Sequence, residues 1–420
     1  MKQNTTYKQT ELGLIPEDWE VKKLGECSSI SGDYGINAPA VKFSEDLPTY
    51  LRITDIDDDG NYSKENKVSV KDDNSESFIL DDEDIVFART GATVGKTYLH
   101  NKKENGDLVF AGFLIRFRTN FDILLPYYLK LYTNTDKYWN WVSVFSMRSG
   151  QPGINSKEYS NLKIPLPPLP EQKKIADCLS TWDSAIEKQS ALINALTDRK
   201  KALMQQLLTG KKRLPGFEEK WKEVKLGDLG KTYNGLTGKT KEDFGEGKPF
   251  ITYMNIFTNP KIDISNFEYV KMGTNENQNK AIYGDIFFTV SSETPDEVGM
   301  ASVLLDKVND LYLNSFCFGF RLNNFKSLLP EFSSYLFRNE LFRKEVHKLA
   351  QGSTRFNLSK LELMKIEIKL PSLEEQTAIA EILATADREL QLQKEKLAQL
   401  QTQKKGLMQV LLTGKKRLIN

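Results

Sequence analysis

At 420 residues the chain has room for two or three domains, and 39% hydrophobic with 27% charged residues is ordinary globular composition. No uncharged apolar run, Phe110 to Ile115 included, approaches the roughly 18 residues that span a bilayer, and the opening MKQNTTYKQTELG has no apolar signal core, so a cytoplasmic protein without a membrane partner is expected. Cys27, Cys178 and Cys317 are isolated and odd in number, which argues against a disulfide framework or a thiolate zinc site, and two histidines are too few for most metal or triad chemistry. The net charge of +1 divides as −5 over residues 1–165, +4 over 166–215, 0 over 216–369 and +2 over 370–420. No segment is the broad cationic surface that holds DNA by phosphates alone.

Residues 1–165 read as a mixed strand and helix region. It opens on WEVKKLGE (Trp19 to Glu26); YLRITDI, FILDDEDIVFA and VFAGFLIRFR alternate like strands, and Pro126 to Val142 reads as a helix starting after proline. Its loops carry Arg89, Thr90, Thr93 and Lys96, then Arg148, Ser149, Gln151 and Asn155 in RSGQPGIN. These side-chain types reach base edges and phosphates, and glycine allows close approach. TGATVGKT (Thr90 to Thr97) has Thr where a phosphate-binding loop requires Gly, which argues against nucleotide binding. The acidic runs Asp55 to Asp59 and Asp81 to Asp84 lack calcium-loop spacing and read as solvated loops; His100 and His347 read as surface residues.

Residues 166–214 read as one long helix. Prolines 165, 167, 168 and 170 forbid an earlier start, Gly210 supplies the stop, and a heptad seam runs through Ile175, Leu179, Trp182, Ile186, Gln189, Ile193, Leu196, Lys200, Leu203 and Leu207, about 48 Å of helix.

Residues 215–369 repeat the first region. WKEVKLGD (Trp221 to Asp228) matches its opening at an offset of 202, DIFFTV (Asp285 to Val290) echoes DIVFART, FCFGFR (316–321) echoes FLIRFR (113–118), and Pro330 to Leu349 reads as a helix. Its polar loops offer Thr289, Ser291 and Ser292, then Gln351, Ser353, Thr354, Arg355 and Asn357, with Gly352 to Asn357 set opposite Gly150 to Asn155. Asn234 to Lys241 is a further candidate loop.

Residues 370–420 repeat the helix. At an offset of 204, 25 of 49 positions are identical to residues 166–214, and the seam returns as Ile379, Leu383, Ala386, Leu390, Gln393, Leu397, Leu400, Lys404, Leu407 and Leu411. Ser372 with Glu375 has the capping-box pattern, and Gly414 mirrors Gly210. A parallel pairing would set Lys200 against Lys404. An antiparallel one sets Lys404 against Trp182 and Lys200 against Ala386, and is expected on that ground. The repeated TGKKRL reads as a surface on which one external partner docks twice. No βαβ rhythm is sustained, so the class is α+β: two globular regions and two long helices paired antiparallel.

The segments PLPPLPEQKKIADCLSTWDSAI…LLTGKKRL, LPSLEEQTAIAEILATAD…LLTGKKRL, IPEDWEVKKLGE, ARTGATVGK and GSTRFNLS together resemble the specificity subunit of bacterial type I restriction-modification systems, over nearly the whole chain. The resemblance implies two target-recognition domains in pseudo-two-fold arrangement, each reading half of a split, asymmetric DNA target, with the helices as the spacer between them. It implies a non-catalytic chain that assembles with two modification (methyltransferase) subunits and restriction (motor/nuclease) subunits. Those partners would bind S-adenosylmethionine, ATP and Mg, and this chain no cofactor. A protein-binding adaptor with the helices as its spacer is the alternative.

Overall fold

The computed structural model describes residues 6–147 and 151–418. Its contacts divide into two compact units, Met1–Ser190 with Lys396–Asn420, and Ala191–Glu395, so each unit combines one globular region with half of each long helix.

The first unit is built on a four-stranded antiparallel sheet in the order Ser28–Tyr34, Leu114–Thr119, Ile85–Ala88, Thr97–Leu99. A second sheet pairs Thr49–Leu51 in parallel with Leu108–Phe110. Phe87 and Phe117 meet edge to face beneath Tyr159, all fully buried, at about 1.5–3 kcal/mol for each such side chain removed from water. The run expected as one helix from Pro126 is two, Pro126–Tyr132 and Asp136–Phe145. The break falls at Thr133–Thr135, because Thr135 accepts from Tyr138 N and so caps a new helix.

The second unit repeats the sheet strand for strand: Gly230–Asn234, Cys317–Leu322, Ile286–Thr289, Ala301–Val303. Its parallel pair is Phe244–Ile251 with Tyr312–Leu313, and its helix after proline also breaks in two, Pro330–Leu336 and Glu340–Lys348, with Asn339 as the cap. The α+β class is borne out in both units.

The helices span Leu169–Leu207 and Leu373–Leu411, 39 residues or about 57 Å each, and no seam position is exposed. Within each unit their halves run antiparallel. In the first, Ile175 and Leu179 share a core with Met408, Leu411 and Leu412. Gly210 and Gly414 end the repeats at φ +68° and +71°, a conformation glycine adopts without strain. Lys404 and Lys200 do not meet Trp182 and Ala386; each reaches one residue further, to the carboxylates of Asp183 and Asp387. A full opposite charge at contact outweighs a ring face or a small neighbour. Each aspartate also accepts a tyrosine hydroxyl from its own globular region, Tyr127 at 2.6 Å and Tyr335 at 2.7 Å.

The Glu-Gln pair at each helix start fastens domain to helix. Glu171 accepts Trp19 Nε1 at 3.0 Å and both Arg417 Nε and Nη2 at 2.7 Å; Glu375 accepts Trp221 Nε1 at 3.1 Å and Arg213 Nε and Nη2 at 2.7 Å. Gln172 accepts from Leu125 N and donates to Ile123 O and Pro167 O, and Gln376 does the same with Leu329 N, Ser327 O and Pro371 O. Only half of the expected capping box therefore forms. Ser372 Oγ accepts from Glu375 N at 3.3 Å, while the Glu375 carboxylate is committed to Arg213 and Trp221. The arginine of each KKRL is likewise an internal clamp and not a free docking residue; only Lys211, Lys212, Lys415 and Lys416 of the two repeats stay exposed.

The acidic runs are exposed at Asp57 to Asp59 and Asp81 to Glu83, but one aspartate of each, Asp55 and Asp84, and one histidine depart from expectation. Asp84 is fully buried and takes Arg118 Nε at 2.7 Å, Asp55 is buried against Arg52 at 2.7 Å, and Asp285 with Arg321 at 2.8 Å repeats the first pair. His100 is buried beside Tyr98 OH at 3.1 Å, and its Nε2 has no partner among the described residues. Loss of solvent holds the ring below its ordinary value of 6.5, and the nearby charges of Asp82 and Asp84 only partly oppose that. The unfolded chain therefore binds this proton more readily than the folded one, and the first unit loses stability as pH falls through about 6.5. His100→Asn is expected to flatten the fall in urea midpoint between about pH 7.5 and about pH 5.5; an equally steep fall in the variant would assign the acid sensitivity elsewhere.

Candidate nucleic-acid interface

At one end of each four-stranded sheet three loops are tied together by the same backbone hydrogen bonds. In the first unit Arg89 N donates to Phe113 O at 3.0 Å and Ile154 N to Arg89 O at 2.9 Å; in the second Val290 N donates to Phe316 O at 3.1 Å and Leu358 N to Val290 O at 2.8 Å. Thr90 bridges Gly153, and Ser291–Ser292 pairs with Phe356–Asn357. The loop register is thus an offset of 204, with Ile154 opposite Leu358, and not the 202 that matching glycines suggested. Asn155 corresponds to Ser359, and both are helix N-caps: Asn155 Oδ1 accepts Glu158 N at 2.9 Å, and Ser359 Oγ accepts Glu362 N at 3.4 Å.

In the first unit Arg89, Thr90, Gln151 and Asn155 line one shallow cavity of about 210 Å³. The Arg89 guanidinium lies 4.8 Å over the ring of Tyr34, whose hydroxyl accepts from Ser156 N at 3.0 Å. This stacking keeps a half-buried cation oriented without neutralising it. Thr93 Oγ1 donates to Thr90 O at 3.4 Å, bracing the turn. Lys96 is engaged elsewhere: its ammonium pairs with Asp58 at 2.6 Å, which holds that carboxyl below its usual range. Arg148 and Ser149 lie outside the described residues. Asn155 keeps its backbone place in the cavity, but its side-chain oxygen is occupied by the cap.

In the second unit the structure divides the expected residues. Thr289 is fully buried and its hydroxyl accepts from Met300 N at 2.9 Å; Ser291 and Ser292 are 6% and 8% exposed, with Ser292 Oγ donating to Glu297 at 3.1 Å. These three were expected at a surface and instead belong to the fold: Thr289 ends a strand of the core sheet and pairs with Cys317, and the strand Phe356–Asn357 pairs with Ser291 and Ser292. Gln351, Ser353, Thr354, Arg355 and Asn357 remain exposed on one loop, closed by reciprocal Gln351–Asn357 backbone bonds, and Arg355 makes no ion pair among the described residues. Of the Asn234 to Lys241 loop, Lys239 is withdrawn into a bond with Glu276, while Asn234 receives the ammonium of Lys360. The side chains thus differ at nearly every matching point of the two surfaces. Tyr34, Phe113, Phe316 and Lys360 escaped the sequence reading because each sits in a run whose alternation suggests only a strand or a helix start.

Among the described residues no cluster of His, Cys, Asp or Glu could hold a metal ion, and no helix is long and apolar enough to cross a membrane. A duplicated sheet with matched loop ends, joined to halves of two long helices, is the plan of a two-domain recognition protein. A family model for the type I restriction modification DNA specificity domain matches residues 16–198 and again 218–402, and the chain belongs to that family as a type I specificity subunit. It is 29% identical to the type I restriction enzyme MjaVIII specificity subunit of Methanocaldococcus jannaschii, over 97% of this chain and 95% of the relative. It is 25% identical to the EcoKI specificity subunit of Escherichia coli K12, over 87% and 82%. The HsdS subunit of Thermoanaerobacter tengcongensis shares the fold with a TM-score of 0.52 at 19% identity, over 96% and 98%. The S subunit of a type I system from M. genitalium does so with 0.54 at 15%, over 98% and 97%.

Proposed function

We propose that each unit reads one half of a split, asymmetric DNA target with its three-loop surface, that the helix pair sets the spacer, and that the chain carries no catalysis of its own. The observation behind this reading is the loop cluster itself, built twice on identical backbone bonds but faced with different side chains. Equal frames fix two readers in the same way, and unequal faces suit two different half-sites. In the first unit Arg89, Thr90 and Gln151 are the contacts; in the second, Gln351, Thr354 and Arg355. The chain then scaffolds two modification subunits and the restriction subunits, which supply S-adenosylmethionine, ATP and Mg chemistry. Near-neutral charge fits this division, since the partners share the grip on phosphate.

Single-molecule sequencing for N6-methyladenine, in a methylation-free host expressing the modification subunit with and without this chain, tests the reading. A split, asymmetric motif is expected only when both are present. A co-purifying complex that leaves no motif would favour the adaptor. Arg89→Ala and Arg355→Ala are each expected to weaken binding of the complex to the motif, and to lower the slope of log affinity against log salt by about one if the contact is to phosphate. An unchanged affinity in both would remove these loops from the interface.

A further inference from the structure

The turn leading into an inner strand of each core sheet, Leu114–Thr119 and Cys317–Leu322, contains a residue that the fold does not explain. Leu108 to Arg118 and Leu311 to Arg321 share four of eleven positions: Leu108 with Leu311, Phe113 with Phe316, Phe117 with Phe320, and Arg118 with Arg321. Three of these have structural reasons. Leu108, Leu311, Phe117 and Phe320 are fully buried, and Arg118 and Arg321 neutralise the buried Asp84 and Asp285. The fourth does not, since Phe113 is 54% and Phe316 59% exposed. A single exposed phenylalanine is unremarkable on a protein surface. Here the same ring stands at the same place twice, while the residues around it diverge from Ala-Gly and Leu-Ile to Asn-Ser and Cys-Phe. Both backbones are also fixed, because Phe113 O and Phe316 O accept the Arg89 and Val290 amides that hold the loop clusters together.

We propose that Phe113 and Phe316 are stacking wedges, one for each half-site, that enter the base stack where the complex opens it. The proposal rests on the reading that these loop clusters face DNA. A phenyl ring conserved across two readers with different side chains suits a contact that does not depend on sequence, and every base offers a π face. Chemistry on a base requires taking it out of the stack at a cost of a few kcal/mol, and an apolar side chain inserted at the opened step offsets part of that cost. A contact to a thymine methyl would instead tie both rings to the same base, which unequal half-sites do not require.

The test uses the full chain in complex with its modification subunit, and duplexes carrying the methylated motif with 2-aminopurine beside the target base in one half-site or the other. Phe113→Ala is expected to weaken binding by about five- to a hundredfold and to suppress the fluorescence rise in one half-site alone; Phe316→Ala should do so in the other. Phe113→Trp and Phe316→Trp should retain both signals. Loss that is reproduced by thymine-to-uracil substitution, with the fluorescence rise intact, would replace the wedge with a methyl contact. Unchanged binding and fluorescence in both alanine variants, while Arg89→Ala and Arg355→Ala still weaken binding, would overturn the wedge and leave the reading of the loops standing. If all four variants bind as the parent does, the reading of the loops fails with it.

Discussion

Glu171→Gln is expected to destabilise the first unit by about 3–5 kcal/mol, the usual result of removing one partner from a buried ion pair. Glu171 is 4% exposed and Arg417 only 7%, and the carboxylate carries three charge-assisted or indole bonds at once. Glutamine keeps one acceptor oxygen but turns an amide NH₂ towards a guanidinium or an indole N–H, leaving a buried cation supported by Asp18 alone, at 2.8 Å. The sister change Glu375→Gln should cost less. Arg213 is 26% exposed, so water replaces part of what is lost, and its remaining partner is the neutral carbonyl of Glu219. Hydrogen exchange followed separately over the two sheets measures both, with protection expected to fall further in Ser28–Tyr34 than in Gly230–Asn234. Equal losses, or a larger loss in the second unit, would show that burial of the arginine does not govern the strength of this clamp.

The same clamp explains what could and could not be read from the amino-acid sequence. The repeated helices were legible because hydrophobic periodicity and glycine stops report directly on burial and termination. Their antiparallel pairing followed from Lys200 and Lys404 alone, since two lysines avoid each other whatever else they meet. The partners they choose were not legible at single-residue precision, because Asp183 and Asp387 lie one residue outside the seam, where the heptad pattern sets no partner. Repetition of TGKKRL reads as a shared partner's footprint, and its four lysines are exposed, but its arginines, Arg213 and Arg417, turn inward to Glu375 and Glu171. For the arginines the repetition records the same internal weld made twice, and identity between repeats does not distinguish the two causes. At the loops the difficulty was of another kind. Thr289, Ser291 and Ser292 have the composition of a polar surface, but Thr289 pairs with Cys317 within the core sheet, and a two-residue strand from a distant loop pairs with Ser291 and Ser292. Composition does not register such long-range pairing. The matching of Asn155 with Asn357 failed for a related reason: the shared glycines fix a local motif, whereas the helix caps at Asn155 and Ser359 fix the structural register.

Insertion of four residues into both long helices, after Ser190 and after Glu395, is expected to lengthen the spacer of the methylated motif and leave both half-sites unchanged, if the helix pair sets the spacer as proposed. Four residues add about 6 Å of helix and a little more than one turn, a phase shift that a coiled coil absorbs by slight unwinding. The Lys404–Asp183 and Lys200–Asp387 contacts each lie on one side of the insertion, so both clamps persist. Since a base pair rises about 3.4 Å, 6 Å sets an upper limit of roughly two, and a gain of one or two base pairs is expected. The original spacing should then be methylated at least about tenfold more slowly, because one reader must leave its half-site, which forfeits contacts worth about 1–3 kcal/mol each. Sequencing of N6-methyladenine in cells carrying the insertion reads half-sites and spacer together. An unchanged spacer with full methylation would mean that the partner subunits, and not these helices, set the distance, and altered half-sites would mean that the insertion had reached into the loop clusters.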